Sequence, residues 1–158
     1  MKIRSGFVSN SSSSSFIVLS ESKKDTWNFD EVELIHGTYE IGRKGNKTFG
    51  WEFETYHDIN SKVNFAALQA MYLDETYSDK PYMKMLEKVL IKCIPGCRLV
   101  SNLLDFNYKP PTGKIWGYID HQSSAVEGMN TEMFDNPEVL TTFIFSPSSY
   151  IETGNDNC

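Results

Sequence analysis

Asp120-His121-Gln122-Ser123-Ser124 puts an acid, an imidazole and two hydroxyls within five residues. An acid that orients an imidazole, and an imidazole that activates a hydroxyl, are the parts of nucleophilic hydrolysis or group transfer. The preceding Ile115-Trp116-Gly117-Tyr118-Ile119 reads as a strand, so the group stands where a strand runs out into a loop, a frequent place for working side chains. Neighbouring side chains on a strand point to opposite faces, so Asp120 and His121 do not simply pair with each other. The plainer reading is a polar strand end whose imidazole is satisfied by local hydrogen bonds. His57-Asp58 is a second pair of the same kind. If His57 and His121 met in space with Asp58 or Glu54, a hydrolytic or metal site would follow.

Two further motifs reduce to ordinary structure. Gly42-Arg43-Lys44-Gly45-Asn46-Lys47-Thr48 has the Lys-Thr ending of a phosphate loop. That loop needs a glycine before the lysine and another five residues earlier, where this chain has Asn46 and Ile41, and it must run into a helix. A basic hairpin turn is the better reading. Cys93-Ile94-Pro95-Gly96-Cys97 has three intervening residues instead of two and no second pair, so buried thiols are expected and no metal or cofactor site is assigned.

The elements that must position these residues follow from periodicity. Phe16-Ile17-Val18-Leu19 reads as a short buried strand. Thr38 to Ile41, a turn over 42–46 and a second strand over Lys47–Tyr56 read as a hairpin, with Phe49, Trp51, Phe53 and Thr55 on one face. Residues 58–77 change to helical spacing through Phe65, Leu68 and Tyr72, with Asp58, Asn60 and Ser61 as candidate caps, and predict an amphipathic helix. A second helix follows, with Pro81 in its first turn, a stripe of Met83, Leu86, Val89, Leu90 and Cys93, and Pro95-Gly96 as its stop. Residues 98–104 read as a strand and 109–113 as a loop. Asn136-Pro137 opens a short helix carrying Val139, Leu140 and Phe143, which Pro147 ends before a last strand at 150–153. Strands and helices mix without regular βα alternation. The expected class is α+β: a single domain with an antiparallel or mixed sheet packed against two to three helices.

Length and charge bound the rest. A chain of 158 residues, 40% hydrophobic, buries on the order of 70% of its unfolded surface as one domain. Five consecutive serines, Ser11, Ser12, Ser13, Ser14 and Ser15, suggest a serine-rich leader over 1–15 before a domain over 16–158. The serines interrupt any apolar run of the length a secretory signal needs, and no window is apolar enough to span a bilayer. With no export signal and three cysteines, an odd count that fits reduced thiols, a cytoplasmic compartment with no membrane association is expected. The net charge of −6 argues against coating nucleic acid. That charge is uneven: residues 1–114 carry 15 basic and 14 acidic side chains, whereas 115–158 carry seven acids and no base.

Arg4-Ser5-Gly6-Phe7-Val8-Ser9-Asn10, with the serines and Phe16 that follow, resembles the opening of a group of uncharacterised proteins of tailed bacteriophages and bacteria. Phe49 to Phe53, Lys62 to Phe65, Asp120 to Ser123 and Ser149 to Asp156 are similar to the same group, so the likeness spans most of the chain. It implies a phage or prophage origin and brings no activity with it. The resulting expectation is a non-enzymatic accessory protein that binds a bacterial host protein, through Ser11–Ser15 or the acidic end at Glu127, Glu132, Asp135 and Glu138. A small hydrolase or transferase using His121, Asp120 and His57 is the alternative, and a minor virion component a further one.

Overall fold

The helix expected over 58–77 forms at Ile59–Leu73 (α1) and is the centre of the molecule in the computed structural model. The structure describes residues 2–5, 13–20, 27–29, 32–50, 52–101, 117–119 and 131–155. Asp58 starts α1 in extended backbone and accepts the Ser61 N–H at 2.7 Å, as an N-cap does. The expectation of a wet face on α1 is corrected. Every residue from Ile59 to Ala70 is buried, including Asn60, Ser61, Lys62, Asn64 and Gln69. Lys62 is the one charged residue in this 15-residue helix, which suits a helix enclosed on all sides.

Asp74 caps the next helix from a distance. After a 3₁₀ turn at Asp74–Thr76, the chain reverses into α2 (Pro81–Cys93), and the buried Asp74 carboxylate accepts the N–H groups of Tyr82 and Met83 at 3.1 and 2.8 Å. Met83, Leu86, Val89 and Leu90 form the buried face of α2, and the Pro95-Gly96 turn follows it, as expected. The third helix, α3 (Pro137–Phe145), is capped by Asn136, whose Oδ1 accepts from Glu138 and Val139. Phe65, Leu86, Leu90, Leu140, Phe143 and Ile144 join the three helices in one core. Burying each such side chain is worth roughly 1.5–3 kcal/mol.

Nine strands complete an α+β architecture among the described residues. β1 (Lys2–Ser5), β2 (Ser13–Ser20), β6 (Glu54–Tyr56) and β9 (Tyr150–Asn155) form an antiparallel sheet in the order β1-β2-β9-β6. β3 (Leu34–Ile35), β4 (Thr38–Glu40) and β7 (Leu99–Ser101) form a second sheet in which β4 and β7 are parallel. β5 (Thr48–Phe49) pairs in parallel with β8 (Tyr118–Ile119). No helix among the described residues is long and apolar enough to cross a membrane.

Two strand expectations are corrected. Residues 38–56 do not fold as a hairpin: β4 pairs with β3 and β7, β5 with β8, and β6 with β9. Gly50, at φ +108°, separates β5 from β6, so the alternation read across Phe49–Thr55 is not one face; Phe49 is buried and Phe53 is 70% exposed. The true local hairpin is β3–β4, closed by His36-Gly37 with φ of +51° and +79°, the pair of positive values a two-residue primed turn requires. Ser13, Ser14 and Ser15 belong to β2, opposite Asn155, Gly154 and Thr153, and β1 pairs with the other edge of β2.

Candidate functional site

His57 and Asp58, adjacent in sequence, have separate tasks. Asp58 holds the first turn of α1. The exposed His57 ring lies 4.8 Å from the Tyr150 ring, and its Nδ1 is 3.4 Å from the Pro147 carbonyl oxygen. A carbonyl oxygen only accepts, so Nδ1 is the donor side of this long contact. Asp120 and His121 lie outside the described residues. The strand that leads to them ends at Ile119, opposite Phe49, and the Phe49 ring meets Tyr56 edge-on at 5.2 Å. Ile119 thus lies opposite a residue whose ring touches Tyr56, the neighbour of His57 in sequence.

The Gly42–Asn46 turn packs on the start of α1. Asn64 Oδ1 accepts the Gly42 N–H at 2.7 Å, Asn64 Nδ2 donates to the carbonyls of Lys44 and Asn46 at 2.8 and 2.9 Å, and Ser61 Oγ accepts the Asn46 N–H at 2.7 Å. Tyr39 donates to Asn60 Oδ1 at 2.8 Å. Gly45, at φ +76°, sits so close that a Cβ there would collide with the backbone of Asn60 and Ser61. The turn's backbone groups are engaged by Asn64 and Ser61, and a strand follows it where a phosphate loop needs a helix, so the basic-turn reading stands without the hairpin. Outside this clasp, Lys44 reaches Glu33 at 2.5 Å and holds its carboxyl below the usual carboxylate range.

Lys62 brings three chain segments together. Its ammonium, with the residue fully buried, donates to the carbonyls of Ser146 and Ser149 at 2.9 and 3.2 Å, between α3 and β9. The Ser146 and Ser149 hydroxyls donate to the Ser20 carbonyl at 2.6 and 3.1 Å, and Ser149 Oγ accepts the Ser20 N–H at 3.0 Å. A lysine beside serines can serve as base for a nucleophile. Here these contacts aim the hydroxyl protons at a main-chain carbonyl and the ammonium at two others, which makes a clasp between β2, α1 and the α3–β9 turn. Sequence reasoning did not single out Lys62; the signal was the absence of any other charge from Ile59 to Leu73.

The remaining candidates divide. Glu132, Asp135 and Glu138 are exposed around the 3₁₀ turn Thr131–Phe134 and the first turn of α3, where Glu138 also suits the helix dipole. Glu127, Ser11 and Ser12 lie outside the described residues. Cys97 is buried and Cys93 half-buried, and neither is in a disulfide. Among the described residues no three His, Cys, Asp or Glu side chains are grouped as metal ligands. Comparison of the chain with protein-family models, curated proteins and solved structures returns no match.

Proposed function

We propose that the chain is a non-enzymatic, phage-encoded accessory protein that binds a protein of the host bacterium through its acidic end. The observation that carries this reading is the exposed group Glu132, Asp135 and Glu138, in a stretch from residue 115 onward that contains no Lys or Arg. Local charge of one sign steers and orients encounter with an oppositely charged surface. The use of Asp58, Asp74 and Lys62 as caps and clasp supports it too, because these groups hold the fold. Affinity capture from a bacterial lysate at low and moderate salt tests it. A specific host protein is expected, lost when Glu132, Asp135 and Glu138 become Gln; no specific partner, or equal capture by the variant, overturns the reading.

A hydrolase or transferase remains the second reading, favoured by the nearness of the Ile119 end of β8 to the Phe49–Tyr56 contact beside His57. In that case His57→Ala and His121→Ala each abolish turnover in a panel of ester and phosphoester substrates; absence of turnover in the unmodified protein refutes it. A minor virion component is separated from both by mass spectrometry of purified particles.

A further inference from the structure

Along α2 run Lys84, Lys88 and Lys92, every fourth residue and all exposed, and the exposed Lys80 precedes them as the N-cap in left-handed backbone. Four residues advance an α-helix by about 6 Å and turn it only about 40° past a full revolution. The three helical lysines therefore span about 12 Å and drift about 80° around the axis, and Lys80 stands just beyond their N-terminal end. Among the described residues the ion pairs are Arg43–Glu40 and Lys44–Glu33, and none of the four lysines takes part in one. Such a row works against its own helix. Like charges at i and i+4 repel, lysines at the N-terminal end oppose the helix dipole, and the first turn of α2 contains no acid to offset them. The one acid of α2, half-buried Glu87, lies three residues after Lys84 and offsets only part of this repulsion.

We infer that this lysine row is a binding surface for the phosphate backbone of a single-stranded nucleic acid. Two physical arguments select that occupant. Exposed pairs between ammonium and carboxylate groups contribute little in water, whereas neutralising successive phosphates releases condensed counterions and yields affinity from the same lysines. A duplex strand has a fixed path that completes a turn in about 34 Å and cannot bend to follow the drift of the row. A single strand is flexible enough to track all four lysines. Tyr77, 49% exposed and edge-on to Tyr82 at 6.1 Å, lies at the Lys80 end as a stacking face for a base, and Ile91, 41% exposed, adds apolar surface near Lys92. The net charge of −6 confines such a strand to this face without forbidding it. The surface is separate from the acidic end and does not depend on the function proposed above.

Fluorescence anisotropy of the full chain with a 5′-fluorescein-labelled twelve-nucleotide oligothymidylate tests the inference. Saturable binding at 50 mM salt is expected, with a log–log salt slope of about −2 to −3, roughly 0.7 for each of three to four phosphates. Replacing Lys84 and Lys88 by Gln should weaken binding at least about tenfold and flatten the slope by about 1.4. The pair Lys84→Arg and Lys88→Arg should bind as the unmodified chain does, which separates loss of charge from loss of fold. Lys44→Gln with Lys47→Gln, an equal charge change elsewhere, should leave affinity within about twofold. The inference is overturned by absence of binding at 50 mM salt or by equal losses in the two Gln pairs. It is overturned also by binding of a duplex of the same length as tightly, or by equal displacement with polyglutamate, which would make the row a docking face for acidic protein.

Discussion

Replacing Lys62 by methionine keeps an unbranched apolar stem and deletes the buried ammonium, so it isolates the polar clasp from the packing around it. Two hydrogen bonds from a charged donor are lost, at 2.9 and 3.2 Å, and the carbonyls of Ser146 and Ser149 lose that donor. A buried acceptor that loses its partner costs about 1–3 kcal/mol, so the two together cost about 2–6 kcal/mol. Against this, an ammonium no longer has to be stripped of water, a relief that in other buried ion sites has cancelled the loss. Here the acceptors are main-chain carbonyls that the substitution cannot remove, so the loss should win and leave the variant about 2–3 kcal/mol less stable. For a chain of this size that corresponds to a fall of about 4–12 °C in thermal midpoint. Urea unfolding followed by tryptophan fluorescence and circular dichroism measures it, with the m-value unchanged if the native state is otherwise intact. Ser149→Ala should cost about 1 kcal/mol alone and be non-additive with Lys62→Met, because both loosen the same turn. A Lys62→Met protein as stable as the original, at equal m-value, would show that desolvation of the ammonium outweighs its bonds and would refute the reasoning.

Gly45→Ala should destabilise by more than about 1 kcal/mol, since it adds a Cβ at positive φ against the backbone of Ser61; an unchanged urea midpoint would contradict the close approach. Asp74→Ala removes the acceptor of two N–H groups at the start of α2 and should cost about 1–2 kcal/mol, seen as faster amide exchange at Tyr82 and Met83. Burial, with Glu75 nearby, raises the Tyr72 hydroxyl above its ordinary value. Its contribution is therefore whole below about pH 10 and lost as pH rises through the raised value. Tyr72→Phe should flatten the alkaline fall in stability, and identical alkaline slopes would count against it.

What sequence reasoning found here depended on how local the deciding contact was. Asp58 and Asn136 cap α1 and α3 through bonds two or three residues away, and the Pro81 start and Pro95-Gly96 stop of α2 are equally short-range. The pairings of β4 with β7, β5 with β8 and β6 with β9 join segments whose local alternation cannot say which partner they take. Residues 38–56 were accordingly open to a nearer hairpin. The actual β3–β4 hairpin had a local mark in Gly37 after Leu34-Ile35-His36, but histidine is an uncommon first turn residue at positive φ. At the candidate site, the candidacy of Asp58 was readable and its structural role was not, because a cap and a catalytic acid share the same side chain. Lys62 was missed because the rule that lysine is exposed fails where main-chain carbonyls receive it.

The order β1-β2-β9-β6 has a consequence for synthesis on the ribosome. β9 lies between β2 and β6, yet it is the last of the described strands to be made. About 130 residues separate the end of β2 at Ser20 from the start of β9 at Tyr150. At about 5–20 residues per second, β2 waits roughly 6–26 s for that partner. During this interval β1 can cover one edge of β2, and the other edge is open to pairing with any strand nearby. Ser13, Ser14 and Ser15 at one end and Ser20 at the other limit the apolar run of the waiting strand to the four residues Phe16–Leu19, shorter than the roughly six or seven that favour aggregation. The serine block thereby acquires a role in the nascent chain, as a segment polar enough to wait and regular enough to pair when β9 emerges.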